Sequence, residues 1–258
     1  KTMEETAKTY DPRVKIIESS AYQDIETSVF LMNTFGLQAF YQATHCGLYL
    51  SLVAEEGGDQ QTGFAYEHRL RFNELNAQEL GREAARRAIR MLGARPVTTR
   101  KIPVVLEPYV AAGFLNLLGP SLTAEAVQKG RSLFRGKIGH QIASGKMNII
   151  DDGVLPGGIA TAPFDGEGVP MSRTVLIQGG VLKGFLHNTY TAAKDNVTST
   201  GNGTRASYKS TPEVGTTNFF CEPGDTFPDE MIRELNSLKE EMMVFRNKFI
   251  KMLNENDE

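Results

Sequence analysis

Residues 147–218 hold most of the side chains that could carry out chemistry, because acids, glycines and a histidine are concentrated there. Asp151, Asp152, Asp165 and Glu167 could form a carboxylate pair for acid–base catalysis or a site for a hard cation. His187 could join them in a self-contained hydrolase. Asp-Gly pairs are also typical of turns, and a turn is the favoured interpretation of the FDGEG segment.

Two other groups of residues were considered as sites. Ser132 and Ser144 lie near His140 in sequence, but the chain has no G-x-S-x-G motif, so this is weak evidence for a nucleophilic triad. The loop STGNGTR could bind an anion through its backbone N–H groups and Arg205. It lacks the Gly-Lys-Ser/Thr of a Walker motif, so an ordinary loop is favoured.

The chain has no local metal-binding motif. Its four histidines, at positions 45, 68, 140 and 187, are all more than 20 residues apart, and no HExxH, HExxxH or CxxC occurs. Residues 45 and 68 lie in strand-like runs, where a histidine is usually a sheet residue. The sequence therefore assigns no catalytic, metal-binding or substrate-binding residue and predicts no cofactor for this chain.

Several elements that would position these residues can be predicted. Two apolar runs joined by Gly179-Gly180 indicate a β-hairpin, because glycine supplies the positive φ of a tight turn. Short strands are predicted over 14–19 and 27–33, and further strands over 37–58 and 63–72. Asn76 and Glu79 form a capping-box pattern at the start of a helix over 77–92, and Gly93 is its expected end.

The second half is predicted to begin near 94–101, with a buried strand at 102–108. A helix capped by Thr123 is expected over 124–135. From residue 228 the sequence has the heptad spacing of a helix that buries one stripe, so it predicts association with another chain or packing on its own domain. The seam comprises Met231, Leu235, Leu238, Met242, Phe245, Phe249 and Met252.

Composition excludes several classes of protein. The 258 residues carry a formal net charge of −3, with no basic run suited to nucleic acid. No apolar run is long enough for a membrane span, and the polar N-terminus lacks a signal peptide's apolar core. Two distant cysteines suit a reducing compartment. We therefore predict a cytoplasmic protein that has no membrane contact.

We predict an α+β fold in three parts. Residues 1–95 are the end of a mixed α/β N-terminal domain. Residues 96–225 are an incomplete, β-rich second domain of mostly antiparallel strands, and 226–258 are a long helix.

A series of motifs in order along residues 12–224 resembles the TldD/TldE (PmbA) family. They are LGARP, IPVVLEP, GRSLFRGKIGHQIAS, DDG, FDGEGVP, GGVLKGFLHN, STGNGTR and TTN. The family comprises cytosolic proteins linked to peptide maturation and antitoxin processing. In TldD-like members an HExxxH motif binds the metal some 17 residues before the serine that resembles Ser132. The matching residues here, 115–120, read LNLLGP and contain no histidine or glutamate.

The resemblance implies a non-catalytic, PmbA/TldE-like subunit of a zinc metalloprotease. A TldD-like partner would carry the zinc, and the pair would act on peptides. The chain looks truncated at both ends relative to the family, and residues 228–258 are a possible site of homo-oligomerisation. Two alternatives stay open: the self-contained hydrolase, and a binding module for gyrase or DNA, against which the acidic balance argues.

Overall fold

The computed structural model describes residues 1–96, 98–99 and 101–235. Its first part is a three-stranded antiparallel sheet in the order β1-β2-β3, with α2 packed on the sheet and α1 packed on α2. The elements are α1 (Thr2–Tyr10), β1 (Val14–Met32), β2 (Gln38–Glu56), β3 (Asp59–Arg69), a 3-10 turn (Phe72–Glu74) and α2 (Ala77–Ile89).

One long strand replaces the two that were predicted over 14–19 and 27–33. β1 runs for 19 residues and pairs with β2 along its whole length. Its polar middle gives no local signal for a strand, but the antiparallel pairing with β2 holds it extended. β3 pairs with β2 only as far as Cys46, so the far ends of β1 and β2 form a two-stranded arm.

Helix α2 begins as predicted and ends three residues earlier. The Asn76 side chain accepts a hydrogen bond from the Glu79 N–H at 3.0 Å, which confirms the cap. The other half of the capping box differs, because the Asn76 N–H donates to Glu67 of β3 at 2.8 Å. The start of α2 is therefore attached to the sheet, while Leu80, Ala84 and Ala88 are buried in the core of this part.

The predicted strand at 102–108 is wrong. Its described residues form no strand, and Ile102 and Val104 are largely exposed, since no neighbouring strand is available to pair with them. Pro108 instead begins α3 (Pro108–Leu118), where proline's fixed φ suits the first helical position. A 3-10 turn, η2 (Gly119–Leu122), continues from it.

Between residues 123 and 222 the chain contains two antiparallel sheets and two short helices. α4 (Ala124–Gln128) is capped by the Thr123 hydroxyl as predicted, but it ends well before residue 135. The sheets have four strands in the order β6-β5-β4-β9 and two strands, β7-β8. The elements are β4 (Ile149–Asp152), β5 (Arg173–Gln178), β6 (Val181–Leu182), α5 (Thr189–Asp195), β7 (Gly203–Thr204), β8 (Glu213–Val214) and β9 (Phe219–Cys221).

The Gly179-Gly180 hairpin is confirmed between β5 and β6, with φ of 56° and 74° at the two glycines. The α+β fold with antiparallel sheets is also confirmed. A core of buried aliphatic residues, including Leu122, Ile149, Leu176 and Leu186, lies under the second sheet.

The structure describes only the start of the heptad segment. Residues 228–235 are helical, and the remainder of the segment, with most of its seam, lies outside the described residues.

Among the helices that the structure does describe, none combines the length and the apolar character needed to cross a bilayer.

Candidate functional site

An open cleft of about 570 Å³ lies between the α3–η2–α4 segment and the strand β8. Its walls are of two kinds: polar and charged side chains from the helical segment, and the backbone of an extended strand. The helical wall comprises Asn116, Gly119, Pro120, Ser121, Thr123, Glu125, Ala126, Lys129 and Arg131, and the strand wall comprises Glu213, Val214, Gly215 and Thr216. Glu125 and Lys129 form an ion pair within the helical wall.

The hydrogen bonds of β7 and β8 show which edge of β8 faces the cleft. Gly215 N–H donates to the Asn202 carbonyl at 3.0 Å, on the β7 side. Bonded and non-bonded pairs alternate along antiparallel strands, so Val214, opposite Gly203, directs its N–H and C=O away from β7. Thr216 lies two residues on, beyond the end of β8. At Val214 the strand wall therefore has an N–H and a C=O on the side away from β7.

The opposite wall contains the segment where the resemblance places HExxxH in TldD-like proteins. Here Leu115 and Leu118 are partly buried and pack against the core beneath the second sheet. Leu117 is 75% exposed on the same helix and is equally unable to bind a cation. Zinc in proteins is held by thiolate, imidazole or carboxylate groups. The residues of this segment therefore do not fit a zinc ion.

The same conclusion holds across the part of the chain that the structure describes. In that part no three histidine, cysteine, aspartate or glutamate side chains come together in a group that could hold a metal. His140 is exposed, and its ring contacts only the Ile138 carbonyl among the hydrogen bonds found, at 3.3 Å. The described residues offer no assembled substitute for the missing motif.

Asp151, proposed above as a general acid or base, lies beneath the strand wall and is 1% exposed. Its carboxylate accepts hydrogen bonds from the Thr217 N–H at 2.6 Å, the Thr217 hydroxyl at 2.8 Å and the Asn202 amide at 2.7 Å. Burial raises the pKa of Asp151, although these donors favour its charged form. Both oxygens are engaged, so the carboxylate fixes the loop that carries the strand wall.

Asp165 and Glu167 also bind backbone groups. Asp165 accepts from the N–H groups of Glu167, Val169 and Gly203 at 2.7–3.0 Å, which ties the acidic turn to β7. Glu167 accepts from the Thr189 N–H at 2.8 Å, at the first residue of α5. The favoured turn interpretation of FDGEG thus agrees with the geometry, because both acids bind backbone N–H groups of their own chain.

His187 is buried, with 7% of its surface exposed, and its Nδ1 has no hydrogen-bond partner among the residues that the structure describes. Burial lowers the pKa of the imidazole, while the charge of Asp195 and the Thr191 backbone act in the opposite direction. The folded protein therefore holds His187 neutral more strongly than the unfolded chain does. The backbone N–H of His187 donates to Thr200 at 2.8 Å, close to the STGNGTR loop.

We expect His187 to make the protein less stable in mild acid. The unfolded chain takes up a proton as the pH falls below about 6.5, the ordinary histidine pKa, whereas the folded chain resists it. The stabilising effect is present above that pKa and is lost as the pH falls through the lower, folded-state pKa. Urea unfolding between pH 7.5 and 5 should show a smaller decline in the His187→Gln variant. A decline equal to that of the exposed control, His140→Gln, would contradict the prediction.

The remaining candidates have structural contacts. The Ser132 hydroxyl donates to the Ser121 carbonyl at 2.7 Å and accepts from the Phe134 N–H, so it joins η2 to the loop after α4. Arg205 donates to the carbonyls of Gly166 and Ser210, which places its guanidinium within the acidic-turn region. The STGNGTR loop is therefore held by its own chain, in keeping with the favoured loop interpretation.

The cleft could not be predicted from the sequence, because its strand wall is made by backbone groups that any residue type could supply. β8 has only two residues, and its partner β7 is equally short. The available signal was Gly215 in TPEVGTTN, since a glycine allows close backbone approach but does not identify a pairing.

Comparison with known proteins assigns the class. A model of the PmbA/TldA metallopeptidase central domain matches residues 1–92, and one of the C-terminal domain of the same proteins matches residues 99–246. The fold is that of this class, and the chain belongs to the PmbA/TldD metallopeptidase family. This confirms the resemblance found in the sequence. The limits of the three domains predicted above stay a prediction.

Three relatives illustrate the breadth of the similarity. A metalloprotease of Methanocaldococcus jannaschii is 33% identical over 231 residues, which is 87% of this chain and 50% of that protein. A proposed modulator of a DNA gyrase from Thermotoga maritima has a TM-score of 0.84 at 31% identity, covering 91% of this chain and 53% of that chain. TldE from Thermococcus kodakarensis has a TM-score of 0.83 at 25% identity, covering 90% and 53%. The chain spans about half the length of the relatives it matches.

Proposed function

We propose that this chain is a peptide-binding, non-catalytic component of a PmbA/TldD-type zinc protease, in which a TldD-like subunit supplies the metal. The observation that carries the proposal is the composition of the two walls of the cleft. One wall is a strand edge at which the backbone groups of Val214 are directed away from β7, and the other is the segment of Leu115–Pro120, whose side chains cannot bind zinc.

Peptide binding follows from the strand wall. An extended peptide can add to an exposed strand edge, with the main chain supplying affinity and neighbouring side chains supplying selectivity. Val214 lies on that edge, with its N–H and C=O directed away from β7. A peptide bound there would lie opposite α3 and η2. The protein would recognise the backbone of the peptide, so it would accept unfolded segments of varied sequence.

The non-catalytic role is supported by the positions of the acids. Asp151, Asp165 and Glu167 accept hydrogen bonds from their own chain, so they are committed to holding loops. A cytosolic location and a TldD-like partner belong to the same proposal, on the grounds of composition and family. The net charge of −3 argues against the gyrase- or DNA-binding alternative, because contacts with phosphates require basic side chains.

Replacing Val214 by proline should weaken peptide binding at least about tenfold, because proline removes the N–H that faces the cleft. The β7–β8 bonds should survive, since that N–H is directed away from β7 and proline is tolerated on an edge strand in this orientation. Fluorescence anisotropy of a labelled, unstructured peptide measures the affinity.

The matched control is Val214→Thr, which keeps the backbone donor and the β-branched shape. Circular dichroism and a thermal melt of both variants should show a retained fold. If Val214→Pro remained folded and bound the peptide as tightly as Val214→Thr, the strand edge would not be the binding surface.

A further inference from the structure

The parts of the chain matched by the two family models are joined at facing helix ends. Arg90 is the C-terminal cap residue of α2, and Glu107 is the N-terminal cap residue of α3. Their side chains form two parallel hydrogen bonds, Nη1 to Oε2 at 2.6 Å and Nη2 to Oε1 at 2.8 Å. Paired bonds of this kind fix orientation as well as distance. Each charge also lies at the helix end that its sign stabilises.

A second contact lies one residue into α3. The Tyr109 ring lies beneath the Arg87 guanidinium, 4.8 Å from its central carbon, and meets Phe64 edge-on at a centroid distance of 5.6 Å. Tyr66 also meets the Tyr109 ring edge-on, at a centroid distance of 6.2 Å. The first turn of α3 therefore rests on α2 and β3.

Arg87 is itself held in place. Its guanidinium donates to the Glu83 carboxylate at 2.6 Å and to the Phe64 carbonyl at 3.1 Å, and its side chain is 18% exposed. A guanidinium restrained in this way presents a fixed face to an aromatic ring, where cation–π attraction is strongest when water is partly excluded. The contact is therefore a rigid seat for Tyr109.

The other end of α3 forms part of the cleft. Asn116 and Gly119 lie on the helical wall, while Leu115 and Leu118 pack on the core below. No side chain of Pro108–Leu118 is fully buried, so the core contact alone holds this helix weakly. The residues between α2 and Pro108, where described, form no helix or strand that would restrain it. The other attachment of α3 is the clamp at its first turn, which consists of the Arg90–Glu107 ion pair and the contact of Tyr109 with Arg87.

We propose that Arg90, Glu107 and Tyr109 are positioning residues for the peptide cleft. They set the placement of α3, and through it the separation between the helical wall and the β8 edge, so that the first part of the chain controls binding in the second. This inference rests on the proposed peptide-binding function.

The test reverses one charge and then restores the pair. Arg90→Glu should raise the hydrogen-exchange rates of the α3 amides, and weaken binding of the labelled peptide, each by about twofold to fivefold, which is the upper part of the range for a partly exposed ion pair. The double variant Arg90→Glu with Glu107→Arg should return both quantities towards their original values. Arg82→Glu, which breaks an exposed ion pair with Glu79 on the same helix, is the control and should change neither.

Tyr109→Ala provides a second test, with Tyr190→Ala as its control, because Tyr190 also carries a cation over its ring but lies on α5, away from α3. The inference is overturned if Arg90→Glu and Tyr109→Ala leave α3 exchange and peptide affinity equal to those of their controls. If the unmodified protein bound no peptide, the proposed function would fail, whereas the exchange rates of α3 would still report on the clamp.

Discussion

Replacing Asp151 by alanine is expected to lower the free energy of unfolding by about 3 kcal/mol. The carboxylate accepts two hydrogen bonds from Thr217 and one from Asn202, and both Asp151 and Asn202 are buried. Alanine would leave the Thr217 N–H without its acceptor, and a buried donor without a partner costs more than the lost bond. The strand wall of the cleft should loosen at the same time, because the loop after β8 would lose its anchor.

Urea unfolding of Asp151→Ala measures this loss, with Asp225→Ala, at an exposed position, as the control.

The raised pKa of Asp151 also affects how the stability of the protein depends on pH. A carboxyl whose folded-state pKa is raised contributes stability below its unfolded pKa, and this contribution is lost as the pH rises through the folded value. Asp151→Asn should remove that part of the pH dependence. If Asp151→Ala were as stable as Asp225→Ala, Asp151 would not anchor the loop after β8.

Replacing Gly63 by alanine is expected to destabilise the protein by about 3 kcal/mol, at the upper end for overpacking. Gly63 lies in β3 directly under α2. An added Cβ would lie 2.3 Å from the Ala84 carbonyl oxygen and 2.4 Å from the Ala88 backbone nitrogen. These are backbone atoms, so the clash could be relieved only by moving the whole helix away from the sheet.

The control for this prediction is Gly113→Ala on α3, where an added Cβ would meet no atom within 4 Å. That change should stabilise the protein slightly, because alanine favours a helix more than glycine does. Thermal melts of the two variants should therefore shift in opposite directions. A Gly63→Ala melt within a degree or so of the unmodified protein would show that α2 does not press on β3 as described.

The elements that could be predicted from sequence are those with local causes. The Gly179-Gly180 turn depends on the positive φ of two adjacent residues, and the Asn76 cap on a side chain and an N–H three residues apart. The family could be assigned for a similar reason, since its motifs occur in a fixed order along the chain. Each of these signals is complete within a short stretch of residues.

The elements that could not be predicted depend on distant partners. The polar middle of β1 has no strand signal of its own and is extended because β2 lies beside it. The β-branched residues at 102–108 favour a strand by type, yet the structure gives them no strand to pair with. The cleft needs α3, α4 and β8 together, and its strand wall depends on backbone direction, which no side-chain pattern records.

The roles of the acids show the same limit. Asp151, Asp165 and Glu167 have the residue types of a catalytic site, and sequence alone left that possibility open. What decides between catalysis and structure is whether their oxygens are available. All three accept hydrogen bonds from groups that are distant in sequence, such as Asn202, Gly203 and Thr189.

The central claim is that this chain binds peptides without cleaving them, and one measurement tests it most directly. The purified chain would be assayed for bound zinc, for binding of a labelled peptide and for cleavage of it, alone and mixed with a TldD-type subunit carrying the HExxxH motif. We expect the chain alone to bind the peptide, to contain no zinc and to cleave nothing. We expect the mixture to cleave the peptide. Stoichiometric zinc, or chelator-sensitive cleavage by the chain alone, would contradict it.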